Sequence, residues 1–471
     1  MHRIERDPLG EHAVPADAYY GIQTQRAVEN FPISGLRAPA ELVTATILVK
    51  KAAAAANQAA GHLPADVAKA IMDAADEILS GRFRDQFVVD VYQAGAGTSH
   101  NMNANEVLSN RAAELLGSAK GAYSKVHPND HVNMSQSTND VFPTSLRLAL
   151  LLDHAPLVDS ARKLQAALEH KAQEFASILK VGRTHLQDAV PITLGDVFGG
   201  YAACIERGAD DVEAASQQLT ELNLGATAVG TGLNAGMDYA NAAIDYLRSY
   251  TKLPLRRARN LFRVTQSMGD VAAYSGAMRR LSIELGKIAS DLRLLSMGPR
   301  AGISEIVLPA VQPGSSIMPG KVNPSVPEMV NQVCYQVMGC DVTVAMAAEA
   351  GQLELNVMMP VITHNILLSL IIVGNASRTF AERCVDGIEA DEAQCTYWLE
   401  RSPALVTALA PKIGYAEAAK LAKEAIATGL TVKQLLEKKK LLPPEELEEL
   451  LDLRAMTELG VPGGKGIPAG G

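Results

Sequence analysis

Residues 143–179 read PTSLRLALLLDHAPLVDSARKLQAALEHKAQEFASIL. Apolar residues return every three or four positions, and no glycine interrupts them, which is the spacing of one buried face on a single long helix. The run is longer than ordinary globular helices. Further helical stretches are expected at about 41–60, 64–80, 196–223, 264–296, 325–350 and 355–388, with a helix start at Pro443-Pro444-Glu445-Glu446. Long helices joined by short polar breaks predict an extended bundle. The expected class is all-α, with a long central bundle between smaller N- and C-terminal domains. The boundaries fall at 1–139, 140–394 and 395–471, and the last segment ends in a glycine-rich tail expected to be disordered.

Composition agrees. The chain has 471 residues, 48% of them hydrophobic but only 4% aromatic, so a large core is built mainly from aliphatic side chains and alanine. A formal net charge of −9 argues against a nucleic-acid partner. The first fifteen residues, MHRIERDPLGEHAVP, contain no apolar signal core, and no apolar run reaches the roughly 18 residues of a membrane span. Cys204, Cys334, Cys340, Cys384 and Cys395 are odd in number and lack CxxC spacing, as expected of reduced thiols in the cytoplasm.

Four polar breaks interrupt the helices, at 93–105, 133–140, 182–188 and 312–324. Each brings hydroxyls, amides or a cation. The histidines lack metal-ligand spacing, and no nucleotide-binding glycine loop is present, so no metal and no cofactor are expected. Taken singly, each break has a plainer explanation. STND at 137–140 is a helix-capping sequence, and a Gly/Ser/Pro loop is usually a connection. A lone His185 is a structural histidine more often than a functional one, and HPNDH at 127–131 reads as a turn.

Together, and in order, the four breaks resemble the boxes of the aspartase/fumarase superfamily: GAGTSHNMNANE, SQSTND, GRTHLQDA and GSSIMPGKVNP. The likeness runs from residue 3 nearly to the end of the chain. It implies the L-aspartase-like fold, with the central domain forming the core of a homotetramer whose active sites are shared between subunits. GRTHLQDAVPITLG, NLGATAVGTGLN and MAAEAGQLELNVM are similar to the aspartate ammonia-lyase branch. The implied reaction is reversible elimination of ammonia from L-aspartate to give fumarate. The class II fumarases, which hydrate fumarate to L-malate, are one alternative, and a structural relative without activity is another. Met359, where aspartases commonly carry glutamate, the THN at 363–365, and His100 are departures from the aspartase pattern.

The resemblance also assigns roles. Ser315 is the base, acting as an alkoxide stabilised by backbone N–H groups and by Lys321. Thr98, Ser137, Thr138 and Asn139 are donors to the charge that develops on the substrate carboxylate. Thr184, His185, Ser316, Lys321 and Asn323 hold the substrate. Proton loss at C3 leaves a carbanion that delocalises into a dianionic carboxylate, and such a species survives only among donors already aimed at it.

Overall fold

The computed structural model describes residues 1–458 and 460, so the tail at 461–471 lies outside the described residues. Helices carry the architecture as expected. Four of them are long: Thr138–Glu174 with 37 residues, Gly269–Leu295 with 27, and Ser325–Glu349 and Met359–Arg383 with 25 each. Among the described residues, β-structure is limited to four two-stranded pieces.

The chain divides into two compact units, one of residues 1–159, 208–282 and 333–375, the other of 160–207, 283–332 and 376–471. In the first, the helix Ala40–Ala59 packs on Ala65–Leu79 and on Met237–Thr251. The run Ala52–Ala56 is wholly buried, because side chains this small let neighbouring helices approach closely. Ile47, Ile71, Ile78, Leu108 and Phe87 fill the space around it. The N-terminal segment, where the sequence marks no helix, forms a hairpin of His2–Asp7 with Gly10–Pro15 and a helix Ile22–Asn30. That helix has no side-chain cap of its own at Gly21. The buried carboxylate of Glu106 supplies the cap from far along the chain, accepting from the N–H groups of Gly21, Gln23 and Thr24 and from Thr24 Oγ1.

The long helix deserves its length despite two prolines, Pro143 and Pro156, within it. Pro156 lies inside the run that reads as uninterrupted by periodicity alone. Proline removes one backbone donor. At Pro143 the carbonyl left over is that of Asn139, and Asn223 Nδ2 donates to it at 3.1 Å. One turn on, Arg147 is fully buried and clasps Asp270 in a two-pronged pair, Nε to Oδ2 at 2.7 Å and Nη2 to Oδ1 at 3.0 Å. This joins the long helix to the first turn of Gly269–Leu295. The apolar windows of Thr138–Glu174 and Met359–Gly387 have the length of membrane spans but are 67% and 61% buried within the chain, as core helices are.

In the second unit the break at 182–188, expected as a loop between helices, is the tip of a hairpin, Leu179–Thr184 with Gln187–Thr193. The small C-terminal helices Glu392–Arg401, Tyr415–Thr428, Val432–Lys439 and Pro444–Leu450 gather around Leu399, Leu409, Leu421, Leu435 and Leu436. Pro444 opens the last of them with Glu445 and Glu446 in its first turn, as the sequence indicates.

Replacing Arg147 by Met strands the Asp270 carboxylate in the core, and breaking a buried pair on one side costs about 3–5 kcal/mol. Urea unfolding of Arg147→Met should show a loss of that size, and Arg147→Met combined with Asp270→Leu should recover much of it.

Candidate active site

In the first unit, the helix Thr98–Leu115 begins at Thr98, so the expected break at 93–105 is half loop and half helix. Gly97 precedes it at φ 83°, and a side chain there would strike the Phe142 ring at 2.1 Å. Only glycine fits. Thr98 is exposed at the helix tip, its Oγ1 pointing to Gly95 O at 3.4 Å.

Ser137, Thr138 and Asn139 stand at the start of the long helix, each half-buried. Part of the plain capping role is realised. Ser137 O accepts from Val141 N, and Ser137 Oγ accepts from Asn139 N at 3.2 Å. Asn139 Nδ2 donates to Ala228 O at 2.8 Å. Beneath them Asp140 is fully buried, its Oδ1 accepting from Ser137 N and its Oδ2 from Gly225 N and Thr227 N, all at 2.9–3.0 Å. Burial pushes its carboxyl up to about 6 against those hydrogen bonds and the Lys50 charge. Lys50 is equally buried, donating to Asn133 Oδ1 and Gln136 Oε1 at 2.9 Å each. Burial draws its ammonium down to about 7, with Asp140 opposing. Lys50, Asp140, Asn101 and Asn133 escaped the sequence reading. A lysine at a core position of an alanine-rich helix was the available signal.

His100 is 1% exposed, its Nε2 3.0 Å from Thr46 Oγ1 and its ring edge-on to Phe142. Burial, and then the Lys50 charge, lowers its pKa to about 4. His127 and His131 frame a single π-turn, Pro128–Val132, in which His127 Nδ1 accepts from the Asn129 and Asp130 N–H groups. That is the turn the sequence suggests.

The second unit holds the other two boxes. Thr184 and His185 are exposed at the hairpin tip, and His185 and Leu186 both take left-handed backbone, φ 56° and 58°. Two side-chain-bearing residues in that conformation store strain, which is tolerated where the surroundings enforce it. Enforcement comes from Glu305, fully buried, which pairs with Lys180 at 3.1 Å and Arg183 at 2.9 Å on the same hairpin. Asp188 sits across from Arg183 in the strand register.

The 312–324 loop is pinned at its neck. Gly314 N donates to Lys321 O at 2.8 Å, and Asn323 Nδ2 donates to Gly314 O at 2.7 Å. A side chain at Gly314 would lie 2.4 Å from Lys321 O, so the neck closes only around glycine. Within it, Ser315 Oγ accepts from Ile317 N at 3.2 Å and Met318 N at 3.1 Å. Ser316 and Lys321 are exposed, and among the described residues Lys321 pairs with no carboxylate. Among the described residues there is no group of three His, Cys, Asp or Glu that would hold a metal ion. The exposed boxes offer hydroxyls, amides, the His185 imidazole and the Lys321 ammonium, along with a serine whose oxygen is already hydrogen-bonded by two N–H groups.

Comparison with known proteins shows the family of the chain. A lyase family model matches residues 10–339, and a model of the fumarase C C-terminus matches 405–458. An aspartate ammonia-lyase of Bacillus sp is 50% identical over 463 residues, covering 98% of this chain and 99% of the relative. The aspartate ammonia-lyase of Escherichia coli K12 is 48% identical, covering 96% and 95%. Among solved structures, a fumarate lyase:delta crystallin from Brucella melitensis bound to cobalt is 52% identical, with a TM-score of 0.93 over 97% of this chain and all of that one. The class II fumarase of Schistosoma mansoni is 36% identical, with a TM-score of 0.94 over 97% and 99%.

Neutral burial of His100 has a measurable consequence. Its folded pKa near 4 lies below the unfolded value of 6.5, so its share of stability is complete above pH 6.5 and is lost as pH falls through 4. At about 1.4 kcal/mol per pKa unit, the share is roughly 3 kcal/mol. Unfolding free energies of the native chain and His100→Gln, measured by denaturant titration from pH 7 to 4, should converge by that amount. Parallel pH profiles would show that the imidazole is not held neutral.

Proposed function

Since the chain belongs to the lyase family, we propose that it is an aspartate ammonia-lyase, a carbon–nitrogen lyase that interconverts L-aspartate with fumarate and ammonia. The observation that carries the mechanism is the acceptance by Ser315 Oγ of two backbone N–H groups. A serine hydroxyl is a base only as its alkoxide, and N–H groups already directed at the oxygen favour that anion. Ser315 removes the C3 proton of aspartate. The electron pair passes into the adjacent carboxylate, where Thr98, Ser137, Thr138 and Asn139 donate to the growing negative charge. Expulsion of the amine completes the elimination.

Lys321, Thr184, His185, Ser316 and Asn323 hold the carboxylates of the substrate. Among the described residues Lys321 pairs with no carboxylate, which supports that assignment. The site residues gather in a homotetramer in the cytoplasm, with each active site drawing on several subunits. The division into 1–139, 140–394 and 395–471, the middle part forming the tetramer core, accompanies this reading. Tyr335, Val342 and Met346 support the assembly. They lie seven and four residues apart on one helix and are 57–68% exposed, an apolar stripe that a second subunit would cover.

A second reading, fumarase, is favoured by the THN at 363–365, which resembles the fumarase side, and Met359 is a further departure from the aspartase pattern. Where aspartases commonly carry glutamate, this chain buries a thioether at 0% exposure. The substrate assay decides between them. Fumarate should appear, by its absorbance, from L-aspartate and far more slowly from L-malate; equal or faster turnover of malate would assign the chain to the fumarases.

Ser315→Ala should lower kcat by at least 10²–10⁴, the usual worth of a positioned acid–base group, with little change in KM. Lys321→Met should raise KM steeply as well as lower kcat, since a charge-assisted hydrogen bond contributes about 1.5–3 kcal/mol. Mixed tetramers reassembled from Ser315→Ala and His185→Ala chains should regain activity that neither parent has. Hybrids as inactive as their parents would mean that one chain supplies both residues.

A further inference from the structure

We propose that Lys50, Asn133 and Asn101 form a positioning relay that fixes Thr138 as a hydrogen-bond donor toward the substrate carboxylate. The inference rests on the assignment of Thr138 to the substrate site and deepens it.

A threonine hydroxyl donates once and accepts twice, so its role toward a ligand depends on its other neighbour. A dianionic carboxylate needs the proton; a hydroxyl turned the other way would present lone pairs to negative charge. What sets the direction begins at Lys50. Its Nζ lies 2.9 Å from one terminal atom of Asn133 and 2.9 Å from one of Gln136. An ammonium can only donate, so the atoms that face it are amide oxygens.

The far ends of the two amides agree. Asn133 Nδ2 donates to Gln136 O at 3.2 Å, and Gln136 Nε2 donates to the carbonyls of Val132 and Met134 at 3.0 Å each. Turning either amide over would set NH₂ against the lysine and oxygen against carbonyl oxygen.

Asn133 Oδ1 is therefore an acceptor, and whatever else approaches it must donate. Two asparagines do so: Asn101 Nδ2 at 3.3 Å and Asn105 Nδ2 at 3.2 Å. Both are at most 2% exposed, and both leave their own Oδ1 without a partner among the described residues. An orphaned oxygen on each is what remains when the amide direction is dictated from elsewhere.

The same Asn101 Nδ2 lies 3.0 Å from Thr138 Oγ1. It donates there too, so Thr138 Oγ1 accepts from the protein. Among the described residues no protein acceptor takes the Thr138 proton, which is left for a ligand. Each of the three relay residues acts through the next.

The test is a double-mutant cycle on the full-length chain, with L-aspartate as substrate. Removing one donor to a developing oxyanion typically lowers kcat by 10²–10³. Thr138→Val should show a loss of that order in kcat, with KM moved less. Asn101→Asp is the same size but places an acceptor where the donor was, which turns the Thr138 proton inward. It should reproduce the kcat loss of Thr138→Val, and the double variant should be no worse than Thr138→Val alone, within ~3-fold, because coupled residues are non-additive. Lys50→Met, which frees the Asn133 amide to turn, should likewise add nothing to Thr138→Val.

A merely structural role for Asn101 would lower activity on top of Thr138→Val. Multiplying losses in the double variant, or an Asn101→Asp protein with native kcat, would overturn the relay. A Thr138→Val protein with native kcat would instead remove Thr138 from the substrate site, and the relay with it. If Asn101→Asp does not yield folded protein by circular dichroism, Asn101→Leu enters the same cycle. It removes the donor without reversing it, and the same absence of further loss is expected.

Discussion

The carboxylate of Asp140 is the constraint on which the first unit's part of the site depends. It is buried without a direct ion-pair contact, and it takes the N–H of Ser137 with one oxygen and those of Gly225 and Thr227 with the other. That single group fixes the first turn of a 37-residue helix and holds the 223–232 segment against it. Its cost is the desolvation of a charge, which raises its pKa, and the buried Lys50 ammonium is the counter-charge that keeps the arrangement affordable. Both groups are fully buried. Their effect is that Ser137, Thr138 and Asn139 have little freedom, which is the condition for neutral donors to stabilise a charge without reorganising.

The 312–324 loop is built on the opposite principle. Its side chains are largely exposed, and two contacts at its neck, Gly314 with Lys321 and Asn323 with Gly314, define it more than packing does. Asn323, assigned to the substrate, also has this structural contact, so its amide serves the loop first. On the proposed mechanism the helix-end residues are donors that must be in place before charge develops, whereas a loop that carries the base must also let the substrate enter and leave.

Glu305 does for the hairpin what Asp140 does for the helix. It is 0% exposed and pairs with both Lys180 and Arg183, which anchors the strands that carry the strained His185–Leu186 turn. Of the two cations that the boxes contribute, Arg183 is thereby consumed and Lys321 is not. This distinction matters for a carboxylate substrate, and the two residues look equivalent when only their spacing is read.

Helical periodicity, written into consecutive side chains, determined the all-α class and the positions of the long helices, and four ordered polar boxes determined the family. These are local or near-local properties, legible because 3.6-residue spacing and motif order survive without knowledge of contacts. The tertiary structure decided what depends on distant partners. Pro143 and Pro156 do not end the long helix, and at the first Asn223 takes over the Asn139 carbonyl. The box at 182–188 became a hairpin because Glu305, more than a hundred residues away, gathers its cations. Lys50, unremarked in an alanine-rich helix, acquired its place only when the turn at 133–136 closed over it. A buried charge must find partners wherever the fold brings them, and a one-dimensional sequence does not state which distant residues will meet.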